Sequence, residues 1–131
     1  NYFNQICKYL REFGGASFII DYGYFENPNN FTLQSISNHQ RTSIFDNPGK
    51  QDITSLVNFK RLIEIAKQNK LGIYTFCSQK EFLLSHGIEK RKGIVLQKCN
   101  NKQKNIIEQG YERLIDENNM GSLFKVLIVT K

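Results

Sequence analysis

Side chains that could hold or activate a ligand occur in four places along this sequence. In chain order they are Asp21, Tyr22, Gly23, His39, Asp52, Thr54 and Gln79. Asp21 and Gly23 directly follow an apolar run, where a carboxylate could orient a polar ligand and a glycine would let the backbone approach it closely. The same two residue types also suit a simple turn. His39 could act as a base near neutral pH, or it could be an ordinary solvated residue.

The other candidates lie beside predicted helix starts. Asp52 and Thr54 precede an apolar pattern with helical spacing, so their simplest role is to accept hydrogen bonds from the free amides of the first turn. A second interpretation is that these caps and the amides beside them also face a binding site. Gln79 could place a side-chain amide in a cleft, or it could be only the first residue of a helix.

Several familiar catalytic motifs are absent from the sequence. It has no Gly-x-Gly-x-x-Gly, no P-loop, no serine nucleophile elbow and no His/Cys cluster with metal-ligand spacing. We therefore expect no metal ion. The three cysteines fit no disulfide or redox pattern, which favours a reducing compartment. Residue types and spacing alone do not identify an activity.

Composition sets broad limits on the kind of protein. A chain of 131 residues with 40% apolar residues can form one packed domain or part of one. We expect no membrane span, because no apolar run approaches the roughly 18 residues that a bilayer requires. The net charge of +6 permits an acidic partner. Specific nucleic-acid binding is a weak alternative, since the lysines are scattered and no nucleic-acid motif accompanies them.

Hydrophobic periodicity predicts alternating helices and strands. Helices are predicted over 2–12, 55–69 and 102–117, and strands over 16–21, 73–76 and 123–129. Gly14 and Gly15 are predicted to end the first helix, because glycine accepts a positive φ. Ser78 and Glu81 predict a capping box that starts a further helix, which Gly87 ends. The first strand is a continuous apolar run, which is typical of a strand buried on both faces. Residues 22–51 are predicted to form one long polar loop. The order indicates an α/β layered sheet, and three strands are few enough to suggest part of a larger sheet.

Five sequence blocks together resemble the MidA-like S-adenosylmethionine-dependent methyltransferases. The first two blocks are Gly14–Gly23, similar to the family's GG-x-hydrophobic-DYG, and Thr32-Leu33-Gln34 with His39, similar to its TLR…H. The third is Pro48–Thr54 with Val57–Phe59, similar to PG-x-x-DIT-x-x-VDF. The last two are Ser78-Gln79 with Phe82-Leu83 and Gly87-Ile88, similar to TQ-x-x-FL…GI, and Met120–Leu127, similar to MG-x-x-FKVL. They occur in the family's order and span nearly the whole chain. Gln34, Asn58 and Ser78 depart from the family's Arg, Asp and Thr.

This resemblance implies a fold and an activity. The chain would be the C-terminal part of a Rossmann-like class I methyltransferase fold, containing the last three strands with their helices and a final antiparallel strand. Residues 1–131 would then be the C-terminal half of a single methyltransferase domain. The glycine-rich loop that binds S-adenosylmethionine would precede residue 1, so the cofactor would bind mainly to that N-terminal half.

The resemblance also implies site residues and partners. Asp21 and His39 would be catalytic. The substrate-binding residues would be Tyr22, Gly23, Asp52, Thr54 and Gln79. Relatives are taken to methylate an arginine in a subunit of respiratory complex I during its assembly, so the expected partners are the N-terminal half and a protein substrate. The location would be the mitochondrial matrix in a eukaryote and the cytoplasm in a bacterium. As a part of such an enzyme, the chain alone would be inactive. The alternative is a non-catalytic remnant or a protein-interaction module.

Overall fold

The structure is a computed structural model that describes residues 2–38 and 40–131. These residues form six helices and seven strands. The helices are α1 Tyr2–Phe13, α2 Phe59–Gln68, α3 Gln79–Ser85, α4 Ile88–Leu96, α5 Asn101–Ile115 and α6 Met120–Leu123. The strands are β1 Ala16–Tyr24, β2 Gln34–Ser37, β3 Gln40–Thr42, β4 Asp52–Thr54, β5 Val57–Asn58, β6 Gly72–Ser78 and β7 Phe124–Thr130.

The larger sheet has four strands in the order β5-β1-β7-β6. β7 runs antiparallel to both β1 and β6, which confirms the expected orientation of the final strand. β5 runs parallel to β1 but pairs with it only at Gly23 and Tyr24. Along 16–22, the outer edge of β1 therefore has no neighbouring strand among the described residues.

Helices cover this sheet on both faces. On one face α1 and α2 pack against the sheet around Cys7, Phe59 and Leu127, all of which are fully buried. Successive side chains of a strand point to opposite faces, so Val126 and Ile128 face the other helical layer, where they are also buried. The result is a three-layer α/β arrangement with a mixed sheet, and the predicted fold class is confirmed.

The prediction that the first strand is buried on both faces was wrong. Phe18 and Ile20 on β1 are 61% and 51% exposed, and Tyr74 on β6 is 73% exposed. The second helical layer packs on β6 and β7 through α3 and leaves this part of β1 uncovered. β7 is the strand that is buried on both faces, because it lies between two neighbours and beneath both layers.

The predicted long loop contains most of a second sheet. β2 and β3 form a hairpin, and β4 adds to the free edge of β2, giving the order β3-β2-β4. These strands are only three or four residues long and are mostly polar, so they lack the apolar alternation that marks a half-buried strand. The small sheet fills the space beyond the carboxyl end of β1.

The predicted helix caps at Asp52 and Thr54 were wrong, since both residues belong to β4. The helix that follows begins at Phe59 rather than near residue 55. Its cap is Asn58, whose side-chain oxygen accepts a hydrogen bond from the Arg61 amide at 2.9 Å. Asn58 replaces the family's Asp at this position, and both residue types are good caps because both carry a short side-chain oxygen.

Other local signals were predicted correctly. Ser78 and Glu81 form the capping box of α3, and the Ser78 amide donates to the Glu81 carboxylate at 2.8 Å. These hydrogen bonds to Ser78 lower the pKa of Glu81. Gly87 ends α3 with a φ of 82°, but a further helix, α4, begins directly after it and was not predicted.

Among residues 2–38 and 40–131, no helix is both long enough and apolar enough to cross a bilayer.

Candidate functional site

A cavity of about 600 Å³ lies where the small sheet meets the carboxyl end of β1. In open α/β sheets this end of the strands is where ligands usually bind. Polar side chains come from the small sheet, from β1 and from the loop between β1 and β2, and apolar ones from the small sheet, the loops and α6. The polar and charged lining residues are Tyr22, Asn30, Thr32, Gln34, Arg41, Asp52 and Thr54.

Strand register places the polar residues of the small sheet on one face. Gln34 pairs with Thr54 across β2 and β4, and in the next row Ile36 lies between Arg41 and Asp52. Residues two apart on a strand point the same way, so all five side chains face the cavity. Arg41 and Asp52 are separated by one strand, or roughly 10 Å, which keeps a cation and a carboxylate at opposite sides of the floor.

Among the described residues, the hydroxyl of Thr54 has no hydrogen-bond partner although its oxygen is buried. On the opposite face of the same sheet, the Thr42 hydroxyl is 3.2 Å from the Ser35 hydroxyl and 3.0 Å from the Gln51 side-chain oxygen. A buried hydroxyl without a partner costs free energy, on the order of 1–3 kcal/mol. Thr54 also lines the cavity, so its hydroxyl could pair with a ligand there by turning about the Cα–Cβ bond.

Tyr22 forms part of the opposite wall, and Asp21 faces away from it. The Tyr22 ring packs edge-on against Phe124, with centroids 5.7 Å apart. Asp21 lies on the other face of β1, where its cross-strand neighbour is Lys125 and its carboxylate accepts the Tyr22 amide at 2.8 Å. Burial lowers the pKa of Lys125. The structure thus places Tyr22 and Asp21, which were both predicted to be site residues, on opposite faces of β1.

Close packing around Gly23 leaves no room for a side chain. A Cβ atom on it would lie 2.3 Å from the Val57 carbonyl oxygen and 2.6 Å from the ring of Phe59. No side chain fits between β1 and the start of α2. A contact between Gly23 and a ligand stays a prediction.

A further predicted site residue, Gln79, does not line the cavity. Gln79 is 8% exposed, and its side-chain amide donates to the Leu114 carbonyl at 2.9 Å, which ties α3 to α5. His39 lies outside the described residues. Of the predicted set, the structure brings Tyr22, Asp52 and Thr54 together at one cavity.

Sequence reasoning missed four polar residues of this cavity, which are Asn30, Thr32, Gln34 and Arg41. Gln34 had been noted only as a departure from the family's Arg. Its position becomes informative once the register is known, because it pairs with Thr54. Arg41 supplies a guanidinium to the cavity even though residue 34 does not. Only a correct prediction of the β2–β3 hairpin could have revealed it.

Comparison with known proteins identifies relatives of the chain. Residues 1–77 match a family of S-adenosyl-L-methionine-dependent methyltransferases. The matched segment contains β1, the whole small sheet and α2, and therefore every element that supplies a polar group to the cavity floor.

Two curated relatives resemble nearly the whole chain. The chain is 35% identical over 123 residues to a protein from Caenorhabditis elegans named as the mitochondrial homolog of protein arginine methyltransferase NDUFAF7. It is 33% identical over 129 residues to the mitochondrial protein arginine methyltransferase NDUFAF7 of Xenopus tropicalis. The matches cover 93% and 95% of this chain but only 28% and 29% of those proteins. The chain thus spans less than a third of their length.

A solved structure has the same fold over the matched region. It is a Burkholderia thailandensis protein crystallised with S-adenosyl-homocysteine, with a TM-score of 0.83 and 28% identity. The match covers 99% of this chain and 35% of that one. S-adenosyl-homocysteine is what remains of S-adenosylmethionine after it has lost its methyl group.

The glycines of this chain do not form a cradle for such a cofactor at the cavity. Among the described residues, the glycines with positive φ are Gly14, Gly15, Gly49 and Gly87. None of them lines the cavity, and the first two lie at the amino end of β1, away from the end where ligands bind.

Proposed function

Since the chain belongs to the family of S-adenosyl-L-methionine-dependent methyltransferases, we propose that it forms the part of such an enzyme that binds the methyl acceptor. The observation that carries this proposal is the cavity, where Tyr22, Asp52 and the unpaired hydroxyl of Thr54 converge at the carboxyl end of β1. The acceptor that this lining suits is the guanidinium of a protein arginine, in keeping with the names of the relatives.

Three polar groups of the cavity have a role in this proposal. The Asp52 carboxylate pairs with the guanidinium, an arrangement that fixes the orientation of the planar group. Thr54 accepts a further N–H through its free hydroxyl, and Tyr22 bounds the space beside the acceptor. When the acceptor nitrogen gains a methyl group it loses a proton, and Asp52 is the nearest carboxylate on the cavity floor to take it up.

The methyl donor is proposed to bind in a segment that precedes this chain in the parent protein. The open edge of β1 supports this arrangement, because a strand placed there would continue the sheet. The exposed Phe18 and Ile20 supply apolar surface beside that edge for the same segment to cover. We refer to this chain together with that segment as the parent protein. Finding no strand followed by a glycine-rich loop in the upstream coding sequence would remove this part of the proposal.

The proposed substrate is an arginine-containing protein, with a subunit of respiratory complex I as the first candidate. The relatives are named as mitochondrial, so the proposed site of action in a eukaryotic cell is the mitochondrial matrix. In this proposal the 131-residue chain has no activity without the rest of the parent protein.

Replacing Thr54 with valine tests the cavity. The change removes a buried hydroxyl that has no partner, so we expect the free energy of unfolding to stay the same or to rise by up to about 1 kcal/mol. In the parent protein we expect the KM for the protein acceptor to rise about tenfold with little change in kcat, because a binding contact is lost. The measurements are urea unfolding and methyl transfer from tritiated S-adenosylmethionine.

Thr42→Val is the matched control for this variant. Thr42 lies on the other face of the same sheet and has two hydrogen-bonding neighbours. Loss of the Thr42 hydroxyl should lower the free energy of unfolding by about 1 kcal/mol and leave the KM for the protein acceptor unchanged. An unchanged KM in Thr54→Val would show that the acceptor does not use this cavity.

A further inference from the structure

A second cavity, of about 450 Å³, lies on the outer helical layer and takes no part in the proposed acceptor site. It is a groove between α3, α4 and α5. Its floor and walls are apolar, formed by Leu83, Ile88, Val95, Ile107 and Leu114. We call it the α4–α5 groove.

The helices on either side of this groove have little buried surface of their own. None of the residues of α4 or α5 is buried. Beyond the groove itself, Ile94 and Ile106 are 51% and 61% exposed. Two helices that present this much apolar surface can bury it against another element laid along the groove.

The rim of the α4–α5 groove is positively charged. Arg91 and Lys92 line it, and the Lys92 ammonium lies 3.6 Å above the centre of the Tyr111 ring. The Tyr111 hydroxyl donates to the Glu89 carboxylate at 3.3 Å, which holds the ring against the wall. Between positions 88 and 115 the sequence has seven Lys and Arg residues against three Glu residues. This hairpin therefore carries most of the chain's net charge of +6.

We propose that the α4–α5 groove docks an acidic amphipathic helix of a protein partner. A groove between two helices accepts apolar side chains spaced three and four residues apart on a third helix. The basic rim selects a helix with carboxylates flanking its apolar face. The apolar lining disfavours nucleic acid, which would need polar groups that reach phosphates and bases.

Gly110 provides a way to block the groove without disturbing the helix. It lines the groove from within α5, and a Cβ atom on it would meet nothing within 4 Å. Gly110→Leu therefore places a bulky side chain in open space and also improves helix propensity. Gly93→Leu is the matched control, since Gly93 is a helical glycine with equally open surroundings but does not line the groove.

The test measures peptide binding to the full chain by fluorescence anisotropy. The probe is a fluorescein-labelled synthetic helix of about five turns, with leucines along one face and glutamates beside them. We expect binding that weakens as salt is raised, and no binding of the same helix with lysines in place of the glutamates. Gly110→Leu should weaken binding at least about tenfold, and Gly93→Leu should not change it.

A charge variant gives an independent readout. Arg91→Glu combined with Lys92→Glu should also weaken binding of the acidic helix about tenfold and should favour the lysine helix instead. Circular dichroism checks that each variant keeps its helices. Equal binding of both helices to the unchanged chain, or equal binding of the acidic helix to Gly110→Leu, would overturn the proposal.

Two further probes distinguish other acidic partners. One is a vesicle of phosphatidylcholine and phosphatidylserine, and the other is a short RNA duplex. If either binds in a manner that Gly110→Leu abolishes while the acidic helix does not bind, the groove serves a lipid surface or nucleic acid and the proposal is wrong.

Discussion

Replacing Asp52 with asparagine in the parent protein is expected to lower the rate of methyl transfer about 100-fold. The amide keeps the size of the side chain but removes both the charge that pairs with a guanidinium and the oxygen that takes up its proton. Asp52 is exposed on the cavity floor, so the change should not alter the free energy of unfolding. The measurement is tritium transferred from S-adenosylmethionine to protein in a mitochondrial extract from cells that lack the parent protein, with methylarginine identified after acid hydrolysis.

The matched control for this variant is Asp46→Asn. Asp46 is an exposed carboxylate in the turn before β4 and does not line the cavity. Asp46→Asn should leave the rate of methyl transfer unchanged. Both variants should bind S-adenosylmethionine as the unaltered protein does. Activity within about twofold of the unaltered enzyme in Asp52→Asn would exclude this carboxylate from the proposed role.

Replacing Gly23 with alanine is expected to lower the free energy of unfolding by about 3 kcal/mol. The added carbon would lie 2.3 Å from the backbone oxygen of Val57 and 2.6 Å from the ring of Phe59, which is fully buried. Neither atom can move freely, because one belongs to β5 and the other to the core between the sheet and α2. Urea unfolding of the chain, followed by circular dichroism, measures the change.

Gly93→Ala is the control for the Gly23 variant. It adds the same carbon where nothing lies within 4 Å, and it should raise the free energy of unfolding by about 0.5–1 kcal/mol through helix propensity. A Gly23→Ala chain as stable as the unaltered one would mean that β1 and β5 do not approach each other as closely as described. The glycine would then need a different explanation, such as contact with a ligand.

The parts of the fold that the sequence predicted are those that neighbouring residues determine. Gly14 and Gly15 end α1 with positive φ, as expected. Ser78 and Glu81 close a capping box that three residues suffice to specify. The strands β1, β6 and β7 contain enough apolar residues to be recognised one at a time.

The small sheet could not be predicted in this way because its strands depend on one another. On the face away from the cavity, the Thr42 hydroxyl hydrogen-bonds to Ser35 and to Gln51, which lie seven and nine residues away on other segments. No single strand carries a recognisable pattern. The cavity was therefore only partly predicted: Asp52 and Thr54 were identified, but as helix caps as well as site residues, and Arg41 was missed.

The exposure of β1 to solvent could not be predicted from the sequence either. Its apolar run is the same whether a helix covers it or not. Only the placement of α3 over β6 and β7 shows that Phe18 and Ile20 remain uncovered. The apolar run of β1 was interpreted as buried. Its exposed side chains are the surface that the proposed preceding segment would cover.

The central claim, that this chain supplies the acceptor side while a preceding segment holds the methyl donor, is tested by calorimetry. S-adenosylmethionine is titrated in parallel into the parent protein and into the 131-residue chain. We predict that the parent protein binds the cofactor and that the chain gives no binding heat at concentrations that saturate the parent. Comparable binding by the chain alone would contradict the account.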